Sequence, residues 1–326
     1  MEAFAQYCLL GTLILTVIAL VMNLVVAAAQ GRVPHRTSRA KAPVAVGVGG
    51  GGGAAGLETD DVLELDAVDD EPARAKSANP TSAEPKAKSG VSVGSLANGF
   101  TVVGFLLMTA YLVTRTIQAG YLPLTNMNGY VSAVVWIILA STLFAFWKFK
   151  IRAISVIALG VAVCLLGFIL IQAREFDASP LMPALQNSML LTLHVGFAVV
   201  ANGAACVSFA AAVLYLIRPK LRHLKTSRER IDDLGYKAAV VMFPLWTIMV
   251  LLGSLWANSA WGAYWSWDPK ETAALVSWLI YAAYLHARVV GGWRGTRSAW
   301  LLIIAFVSVL FTLFGNYFFG GLHSYA

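Results

Sequence analysis

The chain is poor in charge. Asp, Glu, Lys and Arg make up 13% of its 326 residues, where a soluble domain carries about 25%. Hydrophobic residues make up 58%, so much of the chain must lie in lipid. Cysteine is scarce as well. The three, Cys8, Cys164 and Cys206, each lie in an apolar stretch, where a thiol acts as a small hydrophobe. There is no C-x-x-C pair and no C-x-x-C-H, which excludes a chain that carries covalently attached haem of its own. A strand-like alternation and an internal repeat are also missing.

What is present is a series of long apolar runs. A bilayer core about 30 Å thick needs about 20 apolar residues per helix. Eight segments qualify: Tyr7–Ala29, Asn98–Ala119, Gly129–Trp147, Ala153–Gln172, Ser188–Ile217, Tyr236–Trp256, Thr272–Val290 and Ser298–Phe319. The expected fold is an all-α polytopic membrane protein of about eight transmembrane helices. Its three parts are an N-terminal helix (1–30), a linker (31–97) and a seven-helix bundle (98–326). Ala27-Ala28-Ala29 resembles a signal-peptidase site, but the acidic start Met1-Glu2-Ala3 is unlike the basic n-region of a signal peptide.

The net charge of +7 reads as topology, not as an affinity for nucleic acid. Basic residues concentrate in cytoplasmic loops. Placing the flank after the first segment (Arg32, Arg36, Arg39, Lys41) inside leaves only Arg115, Arg174 and Lys270 of the 24 Lys and Arg residues outside. Both termini then lie on the outer face. His35 and His223 fall among cytoplasmic lysines and arginines and read as solvated. The linker holds the run Gly49–Gly53 and an acidic stretch from Glu58 to Glu71. It buries too little apolar surface to offset its ordering entropy, so it is expected to be a disordered tether.

The string Trp261-Gly-Ala-Tyr264-Trp265-Ser-Trp267-Asp268-Pro269-Lys270-Glu271-Thr272 carries the chemistry. Asp268 is a good N-cap, Pro269 suits the first helical position and Glu271 completes a capping box. Capping alone would let Asn replace Asp268. It does not explain the rings of Trp261, Tyr264, Trp265 and Trp267, which fit either an interfacial aromatic belt or a platform for a flat ligand. The histidines favour the platform. His194 lies 24 residues before the inner boundary at Arg218, about 36 Å of helix. His323, 26 residues beyond Arg297, also emerges outside. Two histidines level with an aromatic loop suggest axial ligands to haem iron. His286, 18 residues after Asp268, lies about 27 Å down the same helix, near the inner boundary.

The string W-G-x-Y-W-x-W-D-P-K-E-T resembles the tryptophan-rich WWD signature of haem-handling membrane proteins. Within that group the chain from Asn98 onward resembles the CcsA/ResC family of system II cytochrome c biogenesis, called CcsB in some actinobacteria. Supporting stretches are Tyr121-Leu-Pro-Leu-Thr-Asn-Met127, Leu193-His194-Val-Gly196 and Gly320-Gly-Leu-His323-Ser-Tyr325. The resemblance implies external haem ligation by His194 and His323, an inner haem site at His286, and a ResB-type membrane partner. The first helix and the linker depart from the family's core pattern.

The reading is a haem delivery and ligation subunit of a cytochrome c synthetase (haem lyase) in the bacterial plasma membrane. Haem b would be its substrate and transient ligand, presented at the outer face to the C-x-x-C-H thiols of apocytochrome c. His194, His323 and Asp268 would carry the chemistry, the four rings would support the macrocycle, and Arg115 and Lys270 would meet its propionates. A haem conduit without synthetase activity is the alternative. So is a bis-histidine cytochrome b, although only His286 stands at the inner level. Topology is testable by cysteine labelling in a background without Cys8, Cys164 and Cys206. A cysteine at Ser266 should react with an impermeant reagent in intact cells, and one at Ser227 only after permeabilisation. Labelling of both from one side would overturn the arrangement.

Overall fold

A computed structural model describes residues 1–29, 92–172, 185, 189–221, 224, 226–315 and 318–323. Among these residues the chain is all-α, with eight helices: α1 (Glu2–Ala29), α2 (Val93–Ala119), α3 (Met127–Phe149), α4 (Ala153–Gln172), α5 (Met189–Ile217), α6 (Arg228–Trp261), α7 (Pro269–Val289) and α8 (Thr296–Phe314). Seven of them are long and apolar enough to cross a membrane. The eighth, α7, has 21 residues, about 31 Å of helix, but its buried face carries Ser277, Tyr281, Tyr284 and Arg288. The protein is a multi-pass membrane protein.

Among the boundaries that differ from the sequence expectation, three bear on the domain limits and the cavity. The linker placed at 31–97 ends earlier, because α2 already begins at Val93; Ser92 caps it by accepting the Ser95 N–H at 3.1 Å. Polar Gly94 and Ser95 hide that first turn from a hydropathy reading. The rest of the linker lies outside the described residues, as do Arg174, His35, His223 and Ser324. At the other end, α8 stops at Phe314 instead of continuing to Phe319. His323 therefore reaches its place through a returning tail, not at the end of a straight helix. Finally, α6 runs through Trp261, which is helical rather than part of a loop.

Helix α5 is the hub: it packs along α6 and also against α3, α4 and α8, while α1 lies against α2 and α4. In lipid a backbone polar group needs a partner within the protein, and several buried hydroxyls find one in the helix carbonyls. Thr12 donates to the Cys8 carbonyl at 2.8 Å and Thr16 to that of Thr12 at 2.7 Å. Indole N–H groups tie helices together: Trp246 donates to the Ala274 carbonyl (3.0 Å) and Trp278 to Thr247 Oγ1 (2.9 Å). Near the far end of α7, Arg288 forms a buried ion pair with Asp232 at 2.6 Å. A partnered buried cation of this kind escapes most of its desolvation penalty only while the partner stays.

The turn into α3 has one position with no room for a side chain. The Asn126 side chain caps the helix by accepting the Gly129 N–H at 2.7 Å, and a Cβ at Gly129 would collide with the Pro123 carbonyl. Gly129→Ala should lower stability by about 1–3 kcal/mol, the usual cost of overpacking. Thermal unfolding in detergent would register this as a lower midpoint, whereas Gly160→Ala, which meets open space, should change little.

Candidate functional site: a histidine and tryptophan cavity

The motif after α6 folds as its local chemistry dictates. Asp268 caps α7 by accepting the Lys270 N–H at 3.0 Å, and Glu271 closes the capping box. One Glu271 oxygen accepts from both Ser266 N (2.9 Å) and Asp268 N (3.2 Å). These two bonds bracket Trp267, which is held at φ 56°, a left-handed conformation that costs a side-chain-bearing residue about 1–2 kcal/mol. The ring of Trp267 is thereby turned outward, 70% exposed, and meets Trp265 edge-on at 5.8 Å.

Asp268 does more than cap. It is 5% exposed, and its carboxylate also takes the returning tail: Oδ2 accepts the Leu322 N–H at 2.6 Å and Oδ1 accepts from His323 Nδ1 at 2.8 Å. Gly321 permits this approach, since a Cβ there would collide with the carboxylate. Burial raises the Asp268 pKa, but the hydrogen bond and charge of His323 and the N–H groups of Lys270 and Leu322 outweigh it, holding the carboxyl at about 2. The contact is therefore intact at neutral pH. It weakens only as acidification falls below the ordinary carboxylate range toward that value.

His194, on α5, is fixed from the opposite side. Its Nδ1 lies 2.7 Å from the Met249 carbonyl of α6. A carbonyl only accepts, so Nδ1 carries the hydrogen and Nε2 keeps the lone pair. Gly253 makes the approach possible, because a Cβ at that position would stand 2.6 Å from His194 Cε1. Against the Asp268 carboxylate, His323 is likewise a donor through Nδ1. Each ring thus has its Nδ1 spent on orientation, as the rings of metal-bound histidines commonly do.

Both histidines line one open cavity, with about 1140 Å³ of free space including its mouth. Trp261, Tyr264 and Trp265 contribute to its wall, and Lys270 reaches it from the first turn of α7. His323 meets the Trp261 ring edge-on at 4.9 Å, and Trp261 meets Trp256 at 4.7 Å. The other expected residues are elsewhere. Trp267 does not line the cavity. Arg115 also stays outside it, bonded to Gln118 at 3.2 Å. His286 is exposed in the last turn of α7, at the other end of that helix. Several lining residues were not singled out from sequence: Trp246, Trp256, Gly253 and the Tyr130–Asn202 pair, whose side chains bond at 3.1 Å. The stretch Leu124–Met127 lines it too; its resemblance to a family motif was the available signal.

Paired, oriented histidines beside tryptophans at one end of a helical bundle form an arrangement that can hold a flat, metal-containing ligand. A family model described as cytochrome c assembly protein matches residues 124–323. Among curated proteins, the cytochrome c biogenesis protein CcsA of Guillardia theta is 34% identical over 70% of this chain and 84% of its own length. CcsA of Gloeobacter violaceus is 31% identical, covering 71% and 86%, and that of a Synechococcus species 32%, covering 68% and 84%. The chain belongs to the CcsA family of cytochrome c assembly proteins, and its role lies in cytochrome c maturation.

The shared carboxylate removes the equivalence of Asn and Asp at position 268. An Asn oxygen could still serve Lys270 N and His323, but its NH2 would face the Leu322 N–H, donor against donor. Asp268→Asn should therefore lose cytochrome c maturation, measured as covalent haem in a denaturing gel, nearly as fully as Asp268→Ala. The Ala variant should in addition lose about 0.5–2 kcal/mol of stability with its cap.

Proposed function

We propose that the chain is the haem-delivery and ligation subunit of a cytochrome c synthetase, and that His194 and His323 are the two axial ligands of its haem substrate. One observation carries this reading: two histidines line one aromatic cavity, each with its Nδ1 held by an oxygen acceptor that sets the ring. The residues suit a tetrapyrrole. Flat rings offer apolar contact. Lys270 is the one lysine or arginine on the wall among the described residues, placed to meet a propionate. Arg115, away from the cavity, has no part in the reading, and His286 stands apart as an inner-end haem contact implied by family resemblance.

In the reaction, a cysteine thiol of an apocytochrome C-x-x-C-H segment adds across a haem vinyl group. Sulfur bonds to one vinyl carbon and the thiol hydrogen goes to the other, so no atom is lost. The protein contributes orientation and exclusion of water. His194 and His323 hold the iron, Asp268 and Met249 set the two imidazoles, and the tryptophans support the ring. The distribution of lysine and arginine supports a site on the outer face of the bacterial plasma membrane. A ResB-type membrane partner would complete the complex. A conduit that only moves haem would use the same histidines.

His194→Ala and His323→Ala should each abolish maturation while membrane insertion persists, and exogenous imidazole should restore part of it by supplying the missing nitrogen. A conduit would lose haem without imidazole rescue of thioether formation in a purified assay. Normal maturation in both single variants would refute the ligand assignment.

A further inference from the structure

Two residues of the first α7 turn carry opposite charges toward the same pair of histidines. Asp268 touches His323 directly. A carboxylate on the Nδ1 side makes an imidazole a more basic ligand, which favours the ferric form of iron held by it. Lys270 is the counterpart. It lines the cavity, lies within electrostatic reach of His194 and Asp268, and makes no ion pair among the described residues. The acidic group on the same wall, Glu271, is occupied by the N–H groups of Ser266 and Asp268. No other aspartate, glutamate, lysine or arginine of the described residues lines the cavity.

Building on the ligation reading above, we infer that Lys270 is a redox-tuning residue, its ammonium biasing the bound iron toward the ferrous state. A fixed positive charge in a partly apolar cavity disfavours the state with one more positive charge at the metal. The sign does not depend on whether the ammonium also pairs with a propionate. Removing it leaves the site one unit more negative in either case, which stabilises ferric iron. Position 270 serves this purpose because it follows the cap by two residues. The Asp268 contact that orients one ligand also fixes the turn from which the lysine extends.

The test is a spectroelectrochemical titration of the full-length protein, purified with haem bound, as wild type, Lys270→Met and Lys270→Arg. Wild type should show the six-coordinate low-spin spectrum of two imidazole ligands; its absence would refute the ligation reading itself, separately from the inference about Lys270. Given that spectrum, the ferrous-to-ferric ratio at a fixed solution potential should fall about tenfold or more in Lys270→Met, the change expected of one nearby charge at intermediate dielectric. Lys270→Arg, which keeps the charge, should stay within about twofold of wild type on the same reasoning. An unchanged ratio in Lys270→Met overturns the inference. An equal fall in Lys270→Arg does so too, because charge would then not be the cause. Loss of haem from Lys270→Met alone would make the residue one of retention, which also overturns it.

Discussion

The end of the bundle that holds the cavity is organised around the carboxylate of Asp268. It caps α7 through Lys270 N, holds the returning tail through Leu322 N and orients His323 through Nδ1. These bonds join elements that the chain brings together from 54 and 55 residues apart. Because the group is nearly sealed from solvent, none of its bonds can be exchanged for water, and loss of one leaves a buried partner unsatisfied. The charge also needs no proton adjustment at neutral pH, so the tail and the ring are held in one arrangement. Cap, strap and histidine orientation are a single interaction.

On the opposite wall the constraint is steric, not electrostatic. Helices α5 and α6 pack closely along their length, and a histidine between them would ordinarily be pushed aside. Gly253 leaves a recess in which the His194 ring lies against backbone and reaches the Met249 carbonyl. The two histidines are thus set by different means, one by a charge and one by a missing side chain. Both act through the same nitrogen, Nδ1. Rigid supports of this kind matter when the task of the protein is orientation, because small displacements at a reacting centre are costly.

The bilayer explains the character of α7. Its buried stripe Ser277, Tyr281, Tyr284 and Arg288 is too polar for lipid, yet the stripe faces the protein. There Ser277 meets Thr312 Oγ1 at 3.1 Å, Tyr281 meets Ser208 Oγ at 3.3 Å and Arg288 meets Asp232. Hydrogen bonds between helices hold in place what a hydrophobic driving force cannot within a membrane. The helix that carries the site at one end is therefore the least apolar of the eight.

Read alone, the sequence determined the all-α class, the polytopic pattern and the capping box. Each of these depends on residues close in the chain: apolar runs of a fixed length, or D-P-K-E in four consecutive positions. It also drew attention to His194, because helical rise converts sequence distance into depth, whereas His323 reaches the cavity through a tail beyond α8 that helical rise does not describe. It could not reveal what holds those rings. The contacts of Asp268 with Leu322 and His323, and of His194 with Met249, span more than fifty residues and follow from how the helices pack. Arg115 and Trp267 show the converse. Residue type and predicted depth placed both in the site, but depth carries no information about which way a helix face or a turn points. Only the packing around α5, and the left-handed turn at Trp267, decided that one chain segment would line the cavity and another face away from it.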